Sequence, residues 1–121
     1  MAFQDLLALK KSFSLAMKIF RLTKDFPKEE KYSLTDQIRR SSRSVSANIS
    51  EAYRKRRYPN HFISKLTDSD AENAETQTWL LFALECEYIN KDIYKELKNE
   101  SLEVGKIVNY MIANPDKFDT K

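Results

Sequence analysis

The chain has a single glycine, Gly105, and three prolines in 121 residues. Glycine supplies the positive-φ positions of tight β-turns, and it lets the backbone approach a bound phosphate closely. One glycine cannot supply a turn-rich β-sheet protein or a glycine-rich phosphate loop. Hydrophobic residues make up 41% of the chain and charged residues 32%, which is typical of a folded protein and unlike a disordered one. The sequence therefore predicts an all-α fold.

Several other classes of protein are excluded by what the sequence lacks. Cys86 is the only cysteine and His61 the only histidine, which excludes an internal disulfide and a cysteine-based metal cluster. No apolar stretch approaches the roughly 20 residues that a membrane span needs, and the first residues do not resemble a signal peptide. We expect a cytoplasmic protein that has no cofactor, no metal site and no contact with a membrane.

Apolar residues at three- and four-residue steps predict four helices within a single domain, residues 1–121. The predicted bounds of these helices are about 4–24, 29–56, 60–86 and 91–113. Phe13 and Phe20 belong to the apolar stripe of the first helix, and Asn60 and Asn90 are predicted N-caps of the last two. Because the connections are short, neighbouring helices should be antiparallel. The prediction is an up-down-up-down antiparallel four-helix bundle.

The second predicted helix combines serines with arginines in an unusual way. On a helical wheel its core stripe contains Leu34, Ile38, Val45, Ile49 and Ala52. The opposite side carries Arg39, Arg43, Arg54 and Arg57, with Ser46 and Ser50 between them. A third direction holds Arg40, Ala47 and Glu51, where small side chains let a neighbour approach closely. We predict that Arg40 and Glu51 reach across to a neighbouring helix or subunit, with Glu75 on the third helix as one candidate partner.

Positive charge is concentrated in this helix. Residues 39–57 contain seven arginines and lysines and one acid, whereas residues 60–100 contain nine acids and four lysines. Such a separation predicts contact with a polyanion, RNA or DNA, or with an acidic surface of another copy. The predicted nucleic-acid-binding residues are Arg39, Arg43, Arg54, Lys55, Arg56 and Arg57. A helix face that is charged only for solubility is the competing interpretation.

Four segments of the chain resemble the signature of a known family. They are FPKEE (26–30), LTDQIRR (34–40), SVSANISEAYR (44–54) and AETQTWL (74–80). They resemble the four-helix-bundle proteins encoded in intervening sequences of bacterial 23S ribosomal RNA genes, also labelled S23 ribosomal proteins. The glycine usual in that family is replaced here by Ala52, and a glycine-serine pair by Glu72-Asn73.

The resemblance implies a ring-shaped homopentamer with no established enzymatic activity. Similar bundle proteins in diversity-generating retroelements bind nucleic acid as partners of a reverse transcriptase. The implied partners are therefore other copies of the chain, RNA or DNA, and a reverse-transcriptase-like or ribosomal protein. The resulting prediction is a non-enzymatic, oligomeric nucleic-acid-binding bundle, with RNA favoured. The alternative is a protein-interaction module. An enzyme is not favoured, because no nucleophile–base pair, metal cluster or phosphate loop is visible.

Overall fold

A computed structural model describes residues 6–118 of the chain. Within that range the chain is helical and contains no strand. The α-helices are α1 (Leu7–Thr23), α2 (Asp36–Arg54), α3 (Pro59–Glu85) and α4 (Lys91–Ala113). The shorter elements are a 3-10 turn (Lys28–Glu30) and a π-helical turn (Lys31–Thr35) before α2, and a 3-10 turn (Pro115–Lys117) after α4. The predicted all-α fold is confirmed, while positions 4 and 5 of the predicted first helix lie outside the described residues.

Neighbouring helices run antiparallel, as the side-chain contacts between them show. These contacts are Ser12–Ser46 and Thr23–Arg39 for α1 and α2, Ser41–Thr76 and Glu51–Lys65 for α2 and α3, Asn73–Ser101 and Asp70–Asn109 for α3 and α4, and Lys11–Glu103 and Lys18–Glu100 for α1 and α4. In each of these four neighbouring pairs, residues later in one helix contact residues earlier in the other. The four helices therefore close an up-down-up-down bundle.

The second helix begins later and ends earlier than its predicted bounds of 29–56. The backbone passes through the 3-10 and π turns before regular α-helix begins at Asp36. At the other end, the N–H of Lys55 is shared between the carbonyls three and four residues earlier. Such sharing tightens the last turn of a helix and ends it. The segment from Lys55 to Arg57 is therefore a turn, and it does not follow the helical wheel used for the prediction.

One of the two predicted N-caps is present. The side-chain oxygen of Asn90 accepts a hydrogen bond from the backbone N–H of Ile93 at 2.8 Å, which caps α4 as predicted. The cap predicted at Asn60 is wrong, because α3 already begins at Pro59 and its N-cap is Tyr58. Proline suits this first position, since the helix needs no N–H there and the ring fixes φ near the helical value.

The apolar core is divided into two clusters along the bundle axis. The cluster at one end contains Leu6, Ala8, Val45, Ile49, Ala52, Tyr53, Phe62, Leu66, Val104, Val108 and Met111. The cluster at the other end contains Leu15, Ile19, Leu34, Ile38, Leu80, Ala83, Ile89 and Leu97. Burying one such large aliphatic side chain contributes about 1.5–3 kcal/mol. Between the clusters the buried side chains are polar.

We use the name central polar layer for the buried side chains Ser12, Ser41, Ser69, Asn73, Thr76 and Ser101 together with the half-buried Ser46 and Gln77, which hydrogen-bond to them. The hydroxyl oxygens of Ser12 and Ser46 lie 2.8 Å apart and join α1 to α2. Those of Ser41 and Thr76 lie 2.9 Å apart and join α2 to α3. Small hydroxyl side chains allow close helix approach, and a buried hydroxyl needs a partner. Both requirements are met only in one register of the helices.

Two amides complete the layer between α3 and α4. The Nδ2 of Asn73 donates to the backbone carbonyl of Ser101 at 2.9 Å, and the Ser101 hydroxyl donates to Asn73 Oδ1 at 2.8 Å. The Nε2 of Gln77 donates to the same hydroxyl at 2.9 Å. A Cβ at Gly105 would lie 3.3 Å from Asn73 Nδ2. The glycine therefore gives α4 the space to lie against a buried amide.

A second polar contact ties the segment before α2 to the connection between α3 and α4. The Tyr88 hydroxyl donates to Glu30 Oε2 at 2.7 Å, and the Ser33 hydroxyl donates to Glu30 Oε1 at 2.5 Å. The Tyr88 ring also packs on Phe26, with 5.5 Å between ring centroids. The hydrogen bond to Glu30 raises the pKa of Tyr88 to about 12. The hydrogen bonds from Ser33 and Tyr88 lower the pKa of Glu30.

We expect Asn73→Ala to lower the free energy of unfolding by about 1–3 kcal/mol, because it leaves the buried Ser101 hydroxyl without its acceptor. Ser101→Ala should lower the free energy of unfolding by a comparable amount. The double variant should lose less than the sum, since both changes remove the hydrogen bond from the Ser101 hydroxyl to Asn73 Oδ1. Urea unfolding followed by Trp79 fluorescence, at one protein concentration, measures all three. Asn109→Ala removes an exposed amide of α4 and should change stability by no more than about 0.5 kcal/mol. Additive losses at positions 73 and 101 would contradict the coupling.

We expect Tyr88→Phe to be less stable than the unchanged protein at neutral pH, with the difference vanishing in strong alkali. An unfolded tyrosine titrates near pH 10, so the contribution of a tyrosine with a folded pKa of about 12 is complete below pH 10 and lost as the pH rises through 12. In acid, the lowered pKa of Glu30 means that the contribution is lost as the pH falls below 4.5. Urea unfolding of both proteins across this range provides the test. Tyr32→Phe, at a 74% exposed position, is the control. A stability difference at position 88 that is constant with pH would refute this account.

Candidate nucleic-acid interface

Charge divides the bundle into two halves. Residues 7–57 carry fourteen lysines and arginines against five acids, whereas residues 59–117 carry six against eleven. Helix α1 contains no aspartate or glutamate. Positive potential therefore covers the half of the bundle formed by α1 and α2, and negative potential covers the half formed by α3 and α4.

Arg39 is half-buried against α1. Its Nε donates to Thr23 Oγ1 at 2.7 Å, and its Nη2 donates to the Phe20 carbonyl at 3.4 Å. The guanidinium carbon also lies 4.8 Å from the centre of the Phe20 ring. Arg39 therefore fastens α2 to α1, which corrects the expectation that it points away from the bundle. The helical wheel placed it there because a wheel does not show where the neighbouring helix lies.

Phe20 holds two further cations beside its ring. The ammonium of Lys24 lies 4.9 Å from the ring centre and the guanidinium carbon of Arg43 lies 5.5 Å from it. Arg43 is exposed and forms no ion pair with any acid among residues 6–118. Attraction between a cation and the ring face restrains Arg43 without occupying its N–H donors. Arg43 is therefore held in place and remains open to an anion.

The basic run at the end of α2 is only partly open to solvent. Arg54, Lys55 and Arg57 are exposed, and none pairs with an acid in the described part of the chain. Arg56 is half-buried, because its Nη1 donates to the Tyr53 carbonyl at 2.9 Å and its guanidinium lies 4.1 Å from the Tyr53 ring centre. We call the open cations Arg43, Arg54, Lys55 and Arg57 the α2 basic surface.

The structure brings Arg40 and Glu75 together within one molecule. Arg40 Nη2 contacts Glu75 Oε2, and Nη1 lies 3.0 Å from Glu72 Oε2. Lys65 Nζ lies 3.5 Å from Glu51 Oε2. These pairs join α2 to α3, so they need no second subunit. Arg40 is 50% exposed, and an ion pair at such a site is worth about 0–1 kcal/mol. Its main effect is to neutralise this edge of α2.

Ala47 is exposed on the outward side of α2. A surface groove of about 430 Å³ runs along this side and is lined by Asp36, Arg39, Arg40, Arg43, Ser44 and Ala47. The small residues that pack against neighbouring helices are instead Ser41, Ser42 and Ser46, the first two of which are buried. Within the described residues, Ala47 therefore lines a shallow groove on the outer surface of α2 and does not pack against a neighbouring helix.

The sequence prediction missed the contribution of α1 to the basic half. Phe13, assigned to the core by its spacing, is 61% exposed, and Phe20 is half-buried beneath cations. Apolar spacing cannot separate a core position from one at the edge of the stripe. The complete lack of acids in α1 is a signal that could have identified this face.

Other candidate chemical groups do not assemble into a site. His61 and Cys86 are both exposed, and they lie at opposite ends of α3. Within residues 6–118, no three His, Cys, Asp or Glu side chains are placed to hold a metal ion. No helix in the same range is long and apolar enough to cross a membrane.

Comparison with known proteins supports the resemblance seen in the sequence. A family model described as 23S rRNA-intervening sequence protein matches residues 4–110. A crystal structure from Bacteroides thetaiotaomicron, of a protein with unknown function from the S23 ribosomal protein family, is 33% identical with a TM-score of 0.80, covering 88% of this chain and 96% of that one. No curated protein matches. The chain belongs to the 23S rRNA-intervening sequence protein family.

Proposed function

We propose that this protein is a non-enzymatic, oligomeric bundle that binds RNA through the α2 basic surface. The observation that carries the proposal is the set of four exposed cations, Arg43, Arg54, Lys55 and Arg57, without an acidic partner among residues 6–118. Cations that neutralise phosphates release condensed counterions, and this release drives sequence-independent binding. Unpaired guanidinium groups also offer the forked donors that phosphate oxygens accept.

The contrast with other cations of the bundle argues against charge for solubility alone. Lys11 and Lys18 pair with Glu103 and Glu100 on α4, and Lys65 pairs with Glu51. Exposed lysines such as Lys91 and Lys95 on α4 are also unpaired within residues 6–118, but acids of the same helix stand beside them. The four cations of the α2 basic surface lie in residues 43–57, where the one acid, Glu51, contacts Lys65. A face kept charged only for solubility would carry both signs, as α3 and α4 do.

The family favours RNA over DNA as the ligand. Its name refers to intervening sequences of 23S ribosomal RNA, and the related crystal structure is assigned to a ribosomal protein family. From the features of the sequence and its resemblance to this family we also propose that the protein acts in the bacterial cytoplasm as a ring of identical subunits, a pentamer, with a ribosomal or reverse-transcriptase-like protein as a further candidate partner. Phosphate contacts alone would give affinity without sequence specificity.

A protein-interaction module is the second candidate function. It is favoured by the opposite charges of the two halves and by the exposed apolar side chains Leu81, Phe82 and Leu102 on the acidic half. In this case the α2 basic surface would meet the acidic half of another copy or of another protein. Charge reversal at Arg43 and Arg54 would then change the oligomeric mass even without RNA.

We expect the double variant Arg43→Gln and Arg54→Gln to bind RNA more weakly, and the slope of log affinity against log salt to fall by about one unit for each charge removed. Fluorescence anisotropy with a labelled oligouridine, at several salt concentrations, measures both quantities. Lys91→Gln with Lys95→Gln removes two exposed charges from α4 and is the matched control. If the two double variants lose affinity and slope equally, the α2 basic surface is not the binding site.

Light scattering separates the two candidate functions. We expect the purified protein to form one oligomer whose mass does not depend on Arg43 or Arg54, and to gain mass on addition of RNA at low salt but much less at moderate salt. An oligomer that dissociates on Arg43→Glu with Arg54→Glu, combined with no mass gain from RNA, would support the protein-interaction module instead.

A further inference from the structure

The ring of Phe13 is 61% exposed in the middle of α1. A single exposed apolar residue is ordinary on a protein surface. The position of this one is not ordinary, because it lies on the basic half of the bundle, where the charged side chains of its own helix are all cations. The exposed aromatic residue Phe82, by comparison, lies on α3 and contacts the Trp79 ring.

The register of the bundle places Phe13 between two arginines of the α2 basic surface. Phe13 and Phe20 are two helical turns apart and share one side of α1. Phe20 lies beside Arg43, and α2 runs antiparallel to α1. Ser12, the residue before Phe13, pairs with Ser46 of α2, so Phe13 lies near the level of Ser46. Along α2, Arg43 is about one turn away in one direction and Arg54 is about two turns away in the other.

The surface of α2 beside Phe13 carries two small side chains, Ser46 and Ser50. Their polar groups are already used within the protein. The Ser46 hydroxyl pairs with Ser12, and the Ser50 hydroxyl donates to the Ser46 carbonyl at 3.2 Å. The small side chains beside the ring therefore leave room for a flat group. Few hydrogen-bond donors there are free to bind a competing polar ligand.

Charge around the ring excludes a strongly basic partner and favours an anionic one. Lys10 and Arg21 are exposed on α1, and Lys24 lies beside Phe20. The acid of α2 in this region, Glu51, is directed to α3 by its contact with Lys65. A ligand for this face must carry regularly spaced negative charge together with flat apolar groups. Nucleotides in a single strand have both, since every base presents a π-face.

We propose that the exposed ring of Phe13 stacks on an unpaired base of single-stranded RNA whose flanking phosphates are bound by Arg43 and Arg54. This proposal rests on the proposed RNA binding and specifies its ligand as a single strand. In a duplex the faces of the bases are already stacked on one another and are closed to a side chain. The α2 basic surface by itself would bind a duplex as well as a strand, so the preference for single strands comes from α1.

The test compares Phe13→Leu and Phe13→Trp with the unchanged protein in anisotropy titrations. The probes are a labelled oligouridine and a labelled RNA hairpin of equal charge, whose strands are joined by a non-nucleotide linker so that every base is paired. Stacking on an aromatic ring predicts that Phe13→Leu weakens oligouridine binding by about tenfold and leaves the salt slope and the hairpin affinity unchanged. Phe13→Trp should retain or increase the affinity, because the larger ring stacks at least as well. Phe82→Leu, which removes a ring that is 54% exposed on the acidic half, is the matched control.

The outcomes separate this proposal from the one on which it rests. If Phe13→Leu and Phe82→Leu have the same affinity for oligouridine while Arg43→Gln with Arg54→Gln still lowers it, stacking is refuted and phosphate binding stands. Equal losses for oligouridine and hairpin would also refute stacking on an unpaired base. A change of oligomeric mass on Phe13→Leu would show that the ring belongs to a protein interface. No RNA binding by the unchanged protein would refute both proposals.

Discussion

The central polar layer fixes how the four helices lie against one another. Apolar side chains alone would specify the helix register weakly, because a shift of one turn can still bury a similar apolar area. A buried hydroxyl or amide without a partner costs roughly 1–3 kcal/mol, and Ser12, Ser41 and Asn73 each find their partner on a different helix. A slip of one turn would separate these pairs together. The layer therefore specifies one register at a modest gain in stability.

That register determines which surface groups become neighbours. The serine pair between α1 and α2 brings Phe20 alongside Arg39 and Arg43, and it places Phe13 beside the small residues of α2. The same arrangement turns Lys11 and Lys18 towards the acids of α4. Lys11 and Lys18 are thus paired with acids of the negative half, whereas the four cations of the α2 basic surface have no acidic partner among residues 6–118.

A division between paired and unpaired cations follows along a single helix. Arg40 is paired with acids of α3, Arg39 is bonded to α1, and Arg43 is free of acidic partners among residues 6–118. The three residues are all arginines within two turns of one another, so the local sequence does not predict their different contacts. Their positions relative to the neighbouring helices determine these contacts. An arginine at the seam contributes to packing, whereas one directed outward keeps its N–H donors open to a ligand.

The sequence by itself determined the class of fold, the four helices and the excess of positive charge in α2, because each follows from local composition or from a periodic pattern. The scarcity of glycine and the three- and four-residue spacing required nothing from the rest of the chain. Only the tertiary structure decided that Arg39 and Arg56 are occupied, that Phe13 is exposed and that α1 shares the basic face. A helical wheel gives the direction of a side chain from its own axis. Whether that side chain is buried, paired or exposed depends on which neighbouring helix lies in that direction. The neighbouring helix is determined by packing between segments that are far apart in the sequence.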